Sequence, residues 1–377
     1  MSFLQLFQGG GRDLRERPPE NLPGLDVLRS IAVLLVFTTH FGNEFGAIPK
    51  VAELPPFDLG WSGVDLFFVL SGLLIGTQLW KELRKTGGIR IGRFLLRRGL
   101  RIWPLYFSFV ALVTVIVAHE RGTLRSVLPD AVFLSNYLGG QIGGGWSLST
   151  EEQFYILAPV SIALIAAFSA RRCMWMLPVA MFLFPLGARV IHVQLTTSQG
   201  HALRDEMYFP IHTHSEGLAI GMLLAWVTVF HPDWLTPKRS AIAAAAMVVV
   251  GAIVYQTNHI LFSFTALALI YGAAVLLCMI LRTNLGLLNW RGFYLISRLS
   301  YGIYLNHFRL MPALHAVLGG WRERQGEAAF WACYLICFAV SMAVAWITFH
   351  LIEWPFLRIR SQWLQASRTR ADVVHAG

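Results

Sequence analysis

Arg29 and His40 stand eleven residues apart in one apolar run of the chain. In a helix, eleven residues end about 20° from three full turns and rise about 16 Å, so both side chains share a face. An arginine towards one end and a histidine towards the other suit a polar lane leading to a general base, because ionisable groups at membrane depth are functional by default. A snorkelling arginine and a histidine satisfied by a nearby carbonyl fit the same spacing. Glu151 and Glu152 open another apolar run, in the stretch Trp146–Tyr155. Adjacent helical residues differ by about 100° in direction, so one acid at most faces His40, with Glu151 preferred. A carboxylate there would hold one imidazole tautomer and raise its basicity, as a general base requires. Ser147, Ser149 and Thr150 could also cap that helix, with the acids in its first turn, and capping and catalysis are compatible. His307 and His214 share the expected depth of His40. The three histidines and two carboxylates either converge on one polar cavity or face headgroups. Finally, Arg97 with Arg101, and Arg98 with Arg101, are neighbours on a helix surface. Such guanidinium forks suit a phosphorylated ligand, and the same charges suit anionic lipid.

The elements that must position these groups are membrane helices. The chain of 377 residues is 55% apolar and only 14% charged, with a mean hydropathy of +0.55. Soluble, disordered and nucleic-acid-binding classes are excluded together, since none tolerates so much apolar surface with so few charges. The net charge of +10 is what basic loops on one side of a bilayer produce. Ten runs near the roughly 20-residue spanning length lie around 25–43, 61–80, 102–118, 147–168, 173–191, 212–230, 241–257, 260–281, 292–310 and 330–352. With the N-terminus inside, inner segments carry 22 Lys/Arg and outer loops six. The expected fold is therefore all-α: a polytopic bundle of about ten transmembrane helices, both termini cytoplasmic. Residues 25–356 form the membrane domain between tails at 1–24 and 357–377. Residues 1–24 have no apolar signal-peptide core. Cys173, Cys278, Cys333 and Cys337 lack disulfide or zinc spacing, and no phosphate-loop, serine-elbow or metal motif is present. Any site must lie within the bundle.

Taken in order, six motifs give the chain a family likeness: Arg29-x10-His40, Gly63-Val64-Asp65-Leu66-Phe67-Phe68-Val69-Leu70-Ser71-Gly72, Arg98-x-x-Arg101-Ile102-x-Pro104-x-Tyr106, the Trp146–Tyr155 stretch, Ser300-Tyr301-x-x-Tyr304-Leu305-x-His307, and Ile352-Glu353-x-Pro355-Phe356. In this set the chain resembles the acyltransferase-3 family of bacterial integral-membrane O-acyltransferases. One departure is Glu216 after Thr213-His214-Ser215, where the family usually has Asp. The resemblance implies ten helices in the bacterial inner (cytoplasmic) membrane. It also implies transfer of an acyl group, most often acetyl, from cytoplasmic acyl-CoA to a hydroxyl on an extracytoplasmic glycan or lipid-linked glycan. Acetyl-CoA or another acyl-CoA would be the co-substrate, and membrane lipid the surroundings. The donor would bind near Arg29, Arg97, Arg98 and Arg101. His40, oriented by Glu151, would be the base. Tyr155, Tyr301 or Tyr304 would stabilise the oxyanion, and His307 would complete the site. The extra extracytoplasmic domain of some members is not expected here. A transporter or flippase using the same His, Arg and Glu as a pathway is the rival reading.

Overall fold

The structure is a computed structural model that describes residues 22–46, 59–121, 124–168, 173–280 and 290–363. Those residues are helical, without strands. In chain order the main helices are α1 (Pro23–Phe45), α2 (Gly63–Thr86), α3 (Ile91–Arg121), α4 (Gly145–Ala167), α5 (Met176–Leu195), α6 (Gly200–Tyr208), α7 (Glu216–Phe230), α8 (Pro237–Thr257) and α9 (His259–Ile280). The last long helical segment breaks at Gly326 (φ 69°, ψ −141°) into α10 (residues 291–325) and α11 (Gly326–Trp363).

Local chemistry sets several of the ends. Pro23 starts α1 with a fixed φ where no helical N–H is needed, and Asp26 sits in its first turn, where the dipole favours an anion. Arg84 and Lys85 occupy the last turn of α2, which Gly87 closes in the left-handed region. Thr236 caps α8 by accepting the N–H of Arg239, with Pro237 at the first position. α11 contains a π-helical turn at Phe349–Glu353, a local insertion that recurs at functional sites.

Seven of the described helices are long and apolar enough to cross a membrane: α1, α2 with its preceding turn, α3, α5, α8, α9 and α11. The protein is thus a polytopic all-α membrane bundle. Of the other three runs expected to span, α7 has only 15 residues, about 22 Å of helix. The runs in α4 and α10 carry Glu151, Glu152, Arg298 and Arg309. Residues 1–21 and 364–377 of the expected tails lie outside the described residues, whereas 357–363 continue α11.

α2 is the most buried span, while α5 and α8 form a rim whose Leu183, Phe184, Ile191, Ile242 and Ile253 are exposed to lipid. α2 can sit centrally because it meets α7 backbone to backbone. A methyl on Gly72 would lie 2.1 Å from the Leu218 carbonyl oxygen, and one on Gly221 would lie 2.1 Å from that of Val69. Small residues permit this approach where lipid supplies no hydrophobic drive between helices.

Candidate active site

A cavity of about 200 Å³ opens among α1, α2, α3, α4, α10 and α11. At one end it is lined by Arg29, Arg98, Arg101, Arg298 and Arg360, all near the ends of their helices. Further in come Ser71, Ser147, Glu151, Tyr155, Tyr301 and Tyr304. Glu151 accepts hydrogen bonds from Ser71 Oγ at 2.5 Å and Tyr155 Oη at 2.8 Å. Tyr301 donates to the Ile102 carbonyl at 3.0 Å. Tyr304 Oη and Ser147 Oγ share a 2.6 Å hydrogen bond, and Ser147 donates to the Gly144 carbonyl. Gly144 makes this possible, since its φ of 74° turns the chain into α4 where a side chain would strike Tyr304 and Phe308.

Beside Tyr304, but not themselves among the residues that line the cavity, lie two histidines. The ring of His307 lies 5.8 Å from that of Tyr304 and 5.3 Å from that of His40. His307 Nδ1 is 3.0 Å from the Ile303 carbonyl. A carbonyl only accepts, so Nδ1 carries the proton and Nε2 keeps its lone pair. Nε2 is buried and has no hydrogen-bond partner among the described residues. The expected convergence of His40 and His307 is therefore present.

Two expected contacts are not. Glu151 makes no hydrogen bond or ion pair with His40, because it lies six residues into α4, at the level of Arg29 rather than of the histidines. Its electrostatic neighbours are Arg29 and Arg98. His40 is oriented instead against His307 and Phe308. His214 also stands apart. Its Nδ1 donates to the Tyr208 carbonyl at 2.7 Å and its Nε2 pairs with Asp65 Oδ1 at 2.8 Å, among Phe68, Trp146 and Phe264. Next to that pair, Arg189 and Glu216 form a fully buried ion pair at 2.5 Å. Arg189 further donates to the Leu261 and Thr213 carbonyls and to Thr265 Oγ1. Glu216, at the departure from the family's usual Asp, is thus fully engaged. Glu152 faces away from Glu151, as their 100° separation requires, and accepts from Trp103 Nε1 at 3.1 Å. Arg97 does not line the cavity, though it interacts electrostatically with Arg98 and Arg360.

The loop before α4 is held over this end of the bundle. Asp130 is buried and accepts the N–H groups of Gln141 and Ile142 at 2.6 and 3.2 Å, while Arg309 of α10 donates to the Gln141 carbonyl. Burial pushes the Asp130 carboxyl above the usual carboxylate range, against those two N–H groups, which favour its charged form.

Sequence reasoning assigned no site role to Asp26, Ser71, Ser297, Arg298, Glu353 or Arg360. Asp26 had a signal: it precedes Arg29 by three residues, hence shares its face. It accepts from Ser297 Oγ at 2.8 Å, tying α1 to α10. Arg298 and Arg360 were absorbed into the count of inner-side charge, which does not tell an outward arginine from an inward one.

The chain matches the family described as "Acyltransferase domain" (acyltransferase-3) over residues 22–350. It belongs to that family of acyltransferases. Among named relatives it is 28% identical over 384 residues to "Putative peptidoglycan O-acetyltransferase YrhL" of Bacillus subtilis (strain 168), covering 93% of this chain and 57% of the relative. It is 24% identical over 372 residues to O-acetyltransferase OatA of Staphylococcus aureus (strain NCTC 8325 / PS 47), covering 89% and 57%. The chain thus spans well under two thirds of the length of these relatives. No solved structure matches it.

Proposed function

We propose that this chain is a membrane O-acyltransferase that moves an acyl group, acetyl first, from cytoplasmic acyl-CoA to a hydroxyl of an extracytoplasmic glycan or lipid-linked glycan. Its place would be the bacterial cytoplasmic membrane. One observation carries this reading: a single cavity gathers five guanidiniums at one end and Tyr304 at the other, and the Tyr304 ring lies 5.8 Å from that of His307, a buried histidine with an unpartnered lone pair. The names of the relatives, O-acetyltransferases and in one case a peptidoglycan O-acetyltransferase, support the same reaction class.

In this mechanism Arg29, Arg98 and Arg101, with Arg97 behind them, hold the donor phosphates, and the thioester reaches inward past Glu151. His40 takes the proton of the acceptor hydroxyl as that oxygen attacks the thioester carbonyl. His307, through its free Nε2, is placed to receive that proton in turn. The hydroxyl of Tyr304, beside His307, donates to the developing oxyanion in exchange for its bond to Ser147, while Tyr155 and Tyr301 stay bonded to Glu151 and the Ile102 carbonyl. The C–S bond breaks, the ester leaves on the acceptor, and the thiolate regains a proton as free CoA.

The test is a deletion strain complemented with wild type, His40→Ala or His307→Ala at matched protein levels, with alkali-labile esters on surface glycans measured by mass spectrometry. Wild type restores the esters, and each variant falls by about 100-fold or more. Equal restoration by all three would remove the histidines from the mechanism and revive the transport reading.

A further inference from the structure

The sequence motifs put donor-binding arginines on α1 and α3 only. The structure adds a second wall. Arg298 of α10 and Arg360 of α11 line the same cavity as Arg98 and Arg101. Arg101 interacts electrostatically with Arg98, Arg29, Arg360 and Arg298, so the five guanidiniums form one cluster. Arg98 and Arg360 are buried, and the Nε atoms of Arg298 and Arg360 are buried without a hydrogen-bond partner among the described residues.

Charge in this cluster is not balanced from within. Three carboxylates share the cavity, Asp26, Glu151 and Glu353, against five arginines. No ion pair joins any of those acids to any of those arginines among the described residues: Glu151 is engaged by Ser71 and Tyr155, and Asp26 accepts from Ser297. Guanidiniums stay charged at any physiological pH. Even with every acid ionised, the cavity keeps an excess of two positive charges in a low-dielectric setting, where like charges repel strongly. A ligand that fits must bring at least that much negative charge and present oxygens to two walls at once. A diphosphate, or two phosphates on one molecule, has that chemistry, and planar guanidinium forks match it.

Building on the donor reading above, we propose that Arg298 and Arg360 are donor-binding residues that clamp its phosphates against Arg98 and Arg101. The site thereby selects a phosphate-bearing thioester over the same thioester without phosphates. Glu353, between Arg101 and Arg298 in electrostatic reach, weakens the clamp and leaves it reversible.

The experiment uses the full chain in nanodiscs of zwitterionic lipid with peptidoglycan fragments as the hydroxyl acceptor, and follows thiol release from acetyl-CoA and from S-acetylpantetheine, which has no phosphate. Wild type prefers acetyl-CoA. Arg298→Gln and Arg360→Gln each cut that preference at least tenfold, through a higher KM for acetyl-CoA. Glu353→Gln moves the other way, lowering KM for acetyl-CoA several-fold, a gain that a damaged fold cannot imitate. Preference ratios unchanged in all three variants overturn the clamp while leaving the donor reading intact. If wild type consumes neither thioester, the donor reading fails and the clamp with it. If added phosphatidylglycerol inhibits wild type but neither arginine variant, while their preference ratios stay at wild type, the cluster holds a lipid phosphate and the inference is wrong.

Discussion

Two buried polar regions of this protein use the same residue types to opposite ends. Around Arg189, guanidinium, carboxylate, histidine and hydroxyl groups meet with little left over: Arg189 has donors on Leu261, Thr213, Thr265 and Glu216, and both nitrogens of His214 are engaged. In the cavity of α1, α3, α10 and α11, five arginines have no ion pair among the described residues, and the adjoining His307 keeps an unpartnered nitrogen. Satisfied groups of this kind hold helices together. Five guanidiniums gathered around one cavity without an ion pair among the described residues are held ready for something else.

The contrast can be broken most forcefully at Arg189. Arg189→Ala strands the Glu216 carboxylate without its counter-charge, a change that costs about 3–5 kcal/mol for buried pairs. Thermal unfolding in detergent should fall sharply, or the protein should fail to accumulate; an unaltered Tm would mean that the pair holds nothing together. Glu151→Gln should behave in the reverse manner. Glutamine keeps the size, and its carbonyl oxygen can accept from one of the Ser71 and Tyr155 hydroxyls while its amide N–H donates to the other, so Tm should stay within about 2 °C. Turnover should fall several-fold, because the carboxylate that faces Arg29 and Arg98 along the donor's way inward is lost. A large Tm loss with a proportionate activity loss would move Glu151 into the structural class.

The smallest effect tests a third situation, a well-bonded carboxylate at the surface. Glu206 accepts from Ser198 and Thr196 hydroxyls and pairs with His192, and the Ser198 bond leads the causes that hold its carboxyl below the ordinary value of 4.5. A depressed folded-state value means that its contribution is complete above the ordinary carboxylate range and disappears as pH falls through the lower, folded value. The Tm difference between wild type and Glu206→Gln should therefore be small at pH 7 and vanish in the acid range below 4.5. A difference that grew on acidification would contradict the sign.

Periodicity along one helix was readable; register between helices was not. Arg29 lines the cavity and His40 meets His307 at the depth they share, although His40 does not line the cavity that holds Arg29. The expected pairing of His40 with Glu151 fails because α4 begins at Gly145, which carries Glu151 about 9 Å from that end. A sequence fixes the direction of a side chain around its own axis, and only the packed loop before α4 fixes its height. The same limit hid Arg298 and Arg360, which only the packing of α10 and α11 against α1 and α3 shows to line the cavity.

Arg29 and His40 are separated by about 16 Å along α1, and that interval has an electrical consequence. Between them the lining offers hydroxyls and aromatic rings, with Glu151 kept at the Arg29 level. On the donor reading, the phosphates stay at the arginine end and only an uncharged acyl group travels the interval. Moving a unit charge through 100 mV takes about 2.3 kcal/mol, and moving none takes nothing. Transfer by this route would run at the same rate in an energised vesicle and in one whose membrane potential has been collapsed.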